Sequence, residues 1–207
     1  MTHKVWASAG MTETEGDDAV SGPARVATTE SGHIGADEGP IEIVAYDPSW
    51  PALYVAERER LSVALPGIPI HHIGSTAVSG LAGKAVIDMI ALVDDLDASS
   101  AAVIQRAGYQ LPAAFNTDLV HRRFLCYPTA RFRTHHLHLV DEQEDLGRCL
   151  RFRDSLRADP ALATGYVALK RALAARFRED RAGYTKAKSR FINDAASTSA
   201  VPCPPRH

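Results

Sequence analysis

Cysteine is scarce in this chain: Cys126, Cys149 and Cys203 are the only three in 207 residues, and they lie far apart. That excludes a disulfide framework and any Cys-x-x-Cys zinc site. No run approaches the roughly 18 apolar residues of a membrane span. Met1 to Gly10 holds His3, Lys4 and Ser8 and no continuous apolar stretch, so no signal peptide is expected there. Aromatic residues are only 7% of the total. The basic C-terminal region lacks the interleaved aromatics of a single-strand-binding surface, which argues against a nucleic-acid partner. A soluble cytoplasmic domain with no membrane partner is the expectation.

A strong net charge is also lacking, since the formal total is −2. That figure hides a segregation. Residues 1–40 carry two bases and seven acids, whereas residues 41–207 carry 21 bases and 18 acids. From His121 to Asp194 there are 16 Lys/Arg against 9 Asp/Glu, mostly arginine. The planar guanidinium fork suits phosphate or carboxylate ligands, and it equally suits solvated helix faces. The first 39 residues, rich in Gly, Ser, Thr and acids, cannot bury enough apolar surface to offset their ordering entropy, so a disordered tail is predicted. Residues 195–207, with Ser-Thr-Ser and Pro-Cys-Pro-Pro, are predicted to fray as well. One domain over residues 40–194 remains.

Within that domain the periodicities predict strands and helices in alternation, then helices alone. A short strand is expected over Ile41–Tyr46. Pro51 then opens a helix over Ala52–Leu65, which Pro66-Gly67 ends. Strands follow at Ile70–Ile73 and Ala85–Val93, and a helix over Ser99–Ala107 closes on Gly108. Arg122–Tyr127 and Thr134–Val140 read as an antiparallel hairpin. Three helices are marked by Leu146, Leu150 and Leu156, then by Leu162, Tyr166, Leu169, Leu173 and Phe177, then by Tyr184, Lys188, Phe191 and Ile192. Together these give an α+β fold: a mixed sheet flanked by helices, with a helical C-terminal third.

Chemistry concentrates near the second strand. Gly74 permits close backbone approach to a phosphate, and Ser75 offers amide and hydroxyl donors. Asp88 interrupts an apolar strand, which is costly unless it binds a cation or accepts several hydrogen bonds. With Lys84 between them, these residues can hold a nucleotide triphosphate and its magnesium, or form only a tight turn with a capping aspartate. The stretch is not a Walker loop, because Val78 and Ala85 stand where glycine and Ser/Thr are required. No Gly-x-Ser-x-Gly elbow exists, and no cysteine sits in a nucleophile's sequence context.

The run His71-His72-Ile73-Gly74-Ser75-Thr76-Ala77-Val78-Ser79-Gly80-Leu81-Ala82-Gly83-Lys84-Ala85-Val86-Ile87-Asp88 resembles the signature of the GrpB family. So do Tyr46-Asp47-Pro48-Ser49-Trp50-Pro51, His136-Leu137-His138-Leu139-Val140, Phe152-Arg153-Asp154, Leu169-Lys170 and Tyr184-x-x-x-Lys188-x-x-Phe191-Ile192. The resemblance spans about residues 41–194. It implies a nucleotidyltransferase-like fold, in a family whose members are sometimes fused to dephospho-coenzyme A kinase. By that resemblance Gly74, Ser75 and Thr76 would contact a triphosphate, and Lys84, Lys170, Tyr184 and Lys188 would reach its phosphates. Asp88 would hold Mg2+ or Mn2+.

Two departures from the pattern stand out. The superfamily places a second carboxylate two residues after the first, on the same strand face, and here that residue is Ile90. Ser79 stands where proline is usual. His136 and His138 occupy the place of the superfamily's third acid, and with Asp88 and His72 they can supply mixed metal ligands or an acid–base pair. Alternatively, one histidine packs in the sheet and the other binds phosphate. His72, Arg122, Arg123 and Arg153 are candidates for holding an anionic acceptor. The resulting expectation is an enzyme that binds ATP or another NTP and transfers its nucleotidyl group to, or activates, a small or CoA-related acceptor. The rival is a catalytically reduced nucleotide-binding or folding-accessory domain, which the missing carboxylate favours. A metal-dependent hydrolase using the histidines is a weaker third.

Overall fold

A computed structural model describes residues 39–198. The expected tails over residues 1–38 and 199–207 lie outside the described residues. The α+β architecture is observed. In chain order the elements are α1 (Trp50–Ser62), β1 (Ile70–Ile73), β2 (Ile87–Leu92), α2 (Leu96–Ala107), β3 (Arg122–Pro128), β4 (Arg133–Val140), α3 (Gln143–Ala158), α4 (Pro160–Arg176) and α5 (Arg181–Thr198). The four strands form one mixed sheet in the order β1-β2-β4-β3. The two central strands are parallel, and each edge strand runs antiparallel to its neighbour.

Local chemistry sets the boundaries. The Asp47 carboxylate accepts from Ser49 N at 2.8 Å just before Pro51 enters the first turn of α1. Asp95 caps α2 by accepting from Asp97 N and Ala98 N, both at 2.9 Å, and the left-handed Gly108 ends it. Asp159 caps α4 in the same way, with Pro160 at its first position. Each device satisfies backbone groups that a helix end leaves open.

Side chains alternate across a strand, so the two sheet faces carry different sets of residues. One face presents Ile70, Ile87, Met89, Ala91, Leu125, Leu137 and Leu139, and α1 and α2 close over it with Trp50, Leu61, Leu65, Val103 and Tyr109. The other face is only half covered by apolar packing. There Ile73, Ile90 and Val140 meet Leu146 and Leu150 of α3. The adjoining positions, Asp88 on β2 and His136 opposite it on β4, are polar. The C-terminal helices and the loop after β1 form a further cluster of Val78, Leu81, Phe152, Leu156 and Tyr166.

Three expectations are corrected. The strand over Ile41–Tyr46 shrinks to a single bridge between Val44 and Gly83, because that segment has no neighbouring strand to pair with along its length. Helix α1 begins two residues earlier and ends three residues earlier than the periodicity predicts. The C-terminal boundary at Asp194 is too early: α5 runs to Thr198, and Ala195 and Ala196 are buried against the α3–α4 cluster. Small side chains carry little periodicity signal, yet they let the helix approach closely.

Leu137 is fully buried at the centre of β4. Leu137→Ala is expected to cost about 2–5 kcal/mol in urea unfolding, through lost burial plus the cavity left behind. Val63→Ala, at a side chain 65% exposed, is expected to change stability by less than about 0.5 kcal/mol.

Candidate anion-binding site

The site is built on the turn that follows β1. Gly74 has φ +71°, a left-handed conformation that suits glycine. A Cβ placed there would come within 2.7 Å of Asp88 Oδ2. The chain then winds through a 3-10 turn, Ser75–Ala77. Gly83 packs just as tightly on this turn, since a Cβ there would lie 2.6 Å from Ser75 Cβ. Two glycines therefore bring the loop against β2 and bring Ser75 against the loop's own end.

Asp88 and His136 are paired across the parallel strands, and His136 Nδ1 donates to Asp88 Oδ1 at 2.8 Å. The Asp88 side chain stays 30% exposed, whereas His136 is only 10% exposed. Burial alone would push the Asp88 carboxyl up. The hydrogen bond from His136, and then the positive charge around it including Lys84, outweigh that and hold it well below the usual carboxylate range. Burial lowers His136, with Asp88 opposing the shift.

Three lysines converge on this one carboxylate. Lys170 of α4, only 2% exposed, donates from Nζ to Ser75 Oγ at 2.8 Å and to the Ala82 carbonyl. Its Nζ sits 4.6 Å from the Tyr166 ring centre. Lys188 of α5 lies 4.4 Å over the Tyr184 ring. Lys84 enters from the loop before β2, and its charge and that of Asp88 act on each other. Burial, then repulsion from Lys188 and Arg171, lowers Lys170 to about 7. Burial, then Lys84, lowers Lys188 to about 8. Lys84 is lowered too, by burial first and by Arg181 and Arg133 beyond that. Asp88 is the one carboxylate whose charge acts on all three lysines. Such an arrangement favours a bound anion.

Several of the expected site residues fall elsewhere. His72 lies on the opposite sheet face from Asp88, because it is one position out of step with Ile73, which pairs with Asp88. Its Nε2 is 2.9 Å from Thr76 Oγ1, and its ring stacks on Tyr54 at 4.6 Å. Burial lowers His72 to about 4, so it stays neutral near neutral pH. Thr76 is therefore turned into the protein with its hydroxyl engaged, not toward a phosphate. Arg123 points to the α2 side, where its Nη2 meets Asp97 at 2.9 Å. Arg153 braces the sheet edge by donating to the His72 carbonyl at 3.0 Å and pairing with Asp154. Arg122 is nearer the site: it lies 3.8 Å from Cys149 Sγ and its charge reaches His138.

His138 sits beside Ile90, one alternation along from the Asp88–His136 pair. Its ring lies 5.4 Å from Phe124, and burial followed by Arg122 lowers it to about 3. Asp88, His136 and His138 do not bring three ligand atoms together. Among the described residues the group that does so lies just past the end of β4, with His121 and Glu142 exposed and Asp141 half-buried. The nitrogens His136 Nε2 and His138 Nδ1 are buried without a hydrogen-bond partner among the described residues.

Arg133 and Arg181 are additions that the sequence reading missed. Both add positive charge at Lys84, Arg133 from the start of β4 and Arg181 from α5, where it donates to the Gly39 carbonyl at 2.9 Å. Neither carries a local motif. The general arginine excess was the only signal.

An α+β domain with a glycine-serine turn, and three lysines acting on one carboxylate beside it, defines the class. The family described as GrpB protein matches residues 40–198, and this chain belongs to it. It is 38% identical over 165 residues to a UPF0157 protein of Pseudomonas aeruginosa, covering 76% of this chain and 66% of that one. It is 33% identical over 158 residues to the UPF0157 protein YqkA of Bacillus subtilis, covering 75% of this chain and 46% of that one. The crystal structure of conserved protein GrpB from Enterococcus faecalis superposes with a TM-score of 0.65 at 30% identity, covering 75% of this chain and 95% of that one. The chain thus spans just under two thirds of the first relative and less than half of the second. No described helix is long and apolar enough to cross a membrane.

Two outcomes follow from this geometry. Gly74→Ala is expected to destabilise by about 1–3 kcal/mol in urea unfolding, through backbone strain and the clash with Asp88. An anion favours the ammonium form of a lysine, so its arrival raises the pKa values of Lys170 and Lys188 and draws protons from solution. At pH 8, above Lys170's value of about 7 and level with Lys188's of about 8, tripolyphosphate binding should take up protons. Its affinity should weaken as pH rises through that range. Calorimetry in two buffers of different ionisation enthalpy reads the uptake, and proton release on binding contradicts the assignment.

Proposed function

We propose that this domain binds the phosphate chain of a nucleoside triphosphate, with Ser75, Lys84, Lys170 and Lys188 as its ligands. The observation that carries the reading is the convergence of three lysines on a single carboxylate, a cationic excess that an anion relieves. The nucleotidyltransferase-like fold that the family resemblance implies supports the same reading, since in that fold a Gly-Ser turn contacts the triphosphate. Phosphate oxygens are strong acceptors for clustered ammonium and hydroxyl donors.

A pair of magnesium or manganese ions does not fit these residues. Asp88 already accepts from His136, and lysines surround it. Ile90, in the second carboxylate's position, is fully buried against α3. No step is therefore routed through a metal. This favours nucleotide binding over the two-metal transfer reaction.

Nucleotidyl transfer remains as a second reading, carried by the Asp88–His136 pair. A carboxylate that fixes one imidazole nitrogen as a donor leaves the other with a lone pair for a proton. His136 would then take the proton of a small anionic acceptor held near Arg122.

Isothermal titration with ATP, GTP, CTP, UTP and tripolyphosphate, in EDTA and in magnesium, tests both readings. Binding is expected to persist in EDTA. Lys188→Met is expected to weaken it by about 1.5–3 kcal/mol, the loss of a charged hydrogen bond. Asp88→Asn removes the one negative charge from the recess, so it should tighten binding severalfold. If Asp88→Asn instead abolishes binding, the carboxylate holds a cation and the metal-free reading fails. Pyrophosphate release across candidate acceptors, lost in His136→Ala, is the outcome that supports transfer.

A further inference from the structure

Lys170 is placed oddly for a residue that only neutralises phosphate. It is almost fully buried, and its Nζ points at a serine hydroxyl 2.8 Å away. An ammonium offers three donors and no lone pair, whereas an amine offers two donors and one lone pair. The Ala82 carbonyl takes one donor. An amine lone pair facing Ser75 can then accept the hydroxyl proton. Ser75 itself is half-buried, at the start of the 3-10 turn after β1.

The surroundings favour the amine. Lys170 meets Tyr166 and Arg171 from its own helix, Lys188 from α5, and Asp88 from β2, and Tyr184 lies under Lys188. Burial, Lys188 and Arg171 all oppose its charge, and Asp88 is the one charged group that supports it. The result is a lysine that loses its proton near pH 7. Desolvated lysines next to other cations are one of the ways proteins obtain a base at neutral pH.

We propose that Ser75 is a nucleophile and Lys170 its general base, giving this recess an acyl-transfer or esterase activity on small anionic carboxylic esters. In the first step Ser75 Oγ bonds to the acyl carbon and its proton passes to Lys170 Nζ. The ester C–O bond then breaks, and the departing alkoxide leaves as an alcohol carrying that proton. Water, deprotonated by Lys170, attacks the acyl-serine, releases the carboxylate and restores Ser75. Lys84 and Lys188 supply positive charge toward which the oxyanion develops. The cationic walls select esters that carry a carboxylate or phosphate elsewhere.

A small alkyl fluorophosphonate tests the pair directly on the full chain. Ser75 Oγ would displace fluoride at phosphorus and give one adduct by intact-protein mass spectrometry, mapped to Ser75 by fragmentation. The labelling rate should rise with pH through about 7 and then level off, following deprotonation of Lys170. Ser75→Ala should give no adduct. Lys170→Met should label at least about 100-fold more slowly, the usual contribution of a positioned base. Lys170→Arg should also lose labelling, because it keeps the charge and lacks the base. Thermal unfolding of each variant identifies any that fails to fold, and the mapped wild-type adduct with its pH profile then still tests the pair.

An unlabelled wild type, an adduct that survives Ser75→Ala, or equal rates in folded Lys170→Met would overturn the proposal. Protection of Ser75 by tripolyphosphate would add support to the phosphate reading. Labelling without such protection would support the nucleophile and count against shared occupancy of the recess.

Discussion

The arrangement turns on the burial of more positive than negative charge around Asp88. An isolated buried ammonium is expensive, and proteins ordinarily pair it or let it neutralise. Here Lys84, Lys170 and Lys188 share one carboxylate, and His136 shares it too. The folded domain therefore holds unfavourable electrostatics that a ligand would relieve. Stability given up in a recess is a familiar cost of binding function. Burial first, and repulsion among the cations after it, lowers the lysines, while the His136 hydrogen bond and the cations keep Asp88 ionised.

The close approach of the loop to β2 makes that concentration of charge possible. Gly74 turns where a Cβ would strike Asp88, and Gly83 lies where a Cβ would strike Ser75. Any larger side chain at either place would push the hydroxyl of Ser75 away from Lys170 or the loop away from the carboxylate. Helix α4 then carries Lys170 across the end of this loop, and Tyr166, one turn earlier, supplies the ring beneath it. The recess is thus assembled from a turn, a strand and two helices far apart in sequence.

Much of this was legible in the sequence. β1 falls where alternation predicts it, and the hairpin of β3 and β4 follows from two apolar runs separated by Pro128-Thr129-Ala130-Arg131. Gly74, Ser75, Asp88 and Lys170 were visible because each breaks a local pattern: a glycine ends a strand, and a charge interrupts an apolar face. His72 was misread for an identifiable reason. A motif lists residues along the chain, while a strand sends neighbours to opposite faces, so the alternation that separates His135 from His136 also separates His72 from Ile73. Arg123 failed in the same way. Arg133 and Arg181 act at a distance through charge alone, which no short pattern records.

The position of Ile90 links packing to chemistry. It lies on the same sheet face as Asp88, two residues on. In this chain α3 rests on that part of the sheet, and Ile90 is fully buried among Ile73, Val140, Leu146 and Leu150. A carboxylate there would be desolvated by an apolar helix face with no donor to meet it, at a cost of several kcal/mol. The boundary between apolar and polar packing on this face therefore falls between Asp88 and Ile90, within one alternation of the strand. Helix α3 covers the Ile90 side, and lysines cover the Asp88 side. The polar side of this face thereby holds one carboxylate and one histidine, with more positive than negative charge acting on them.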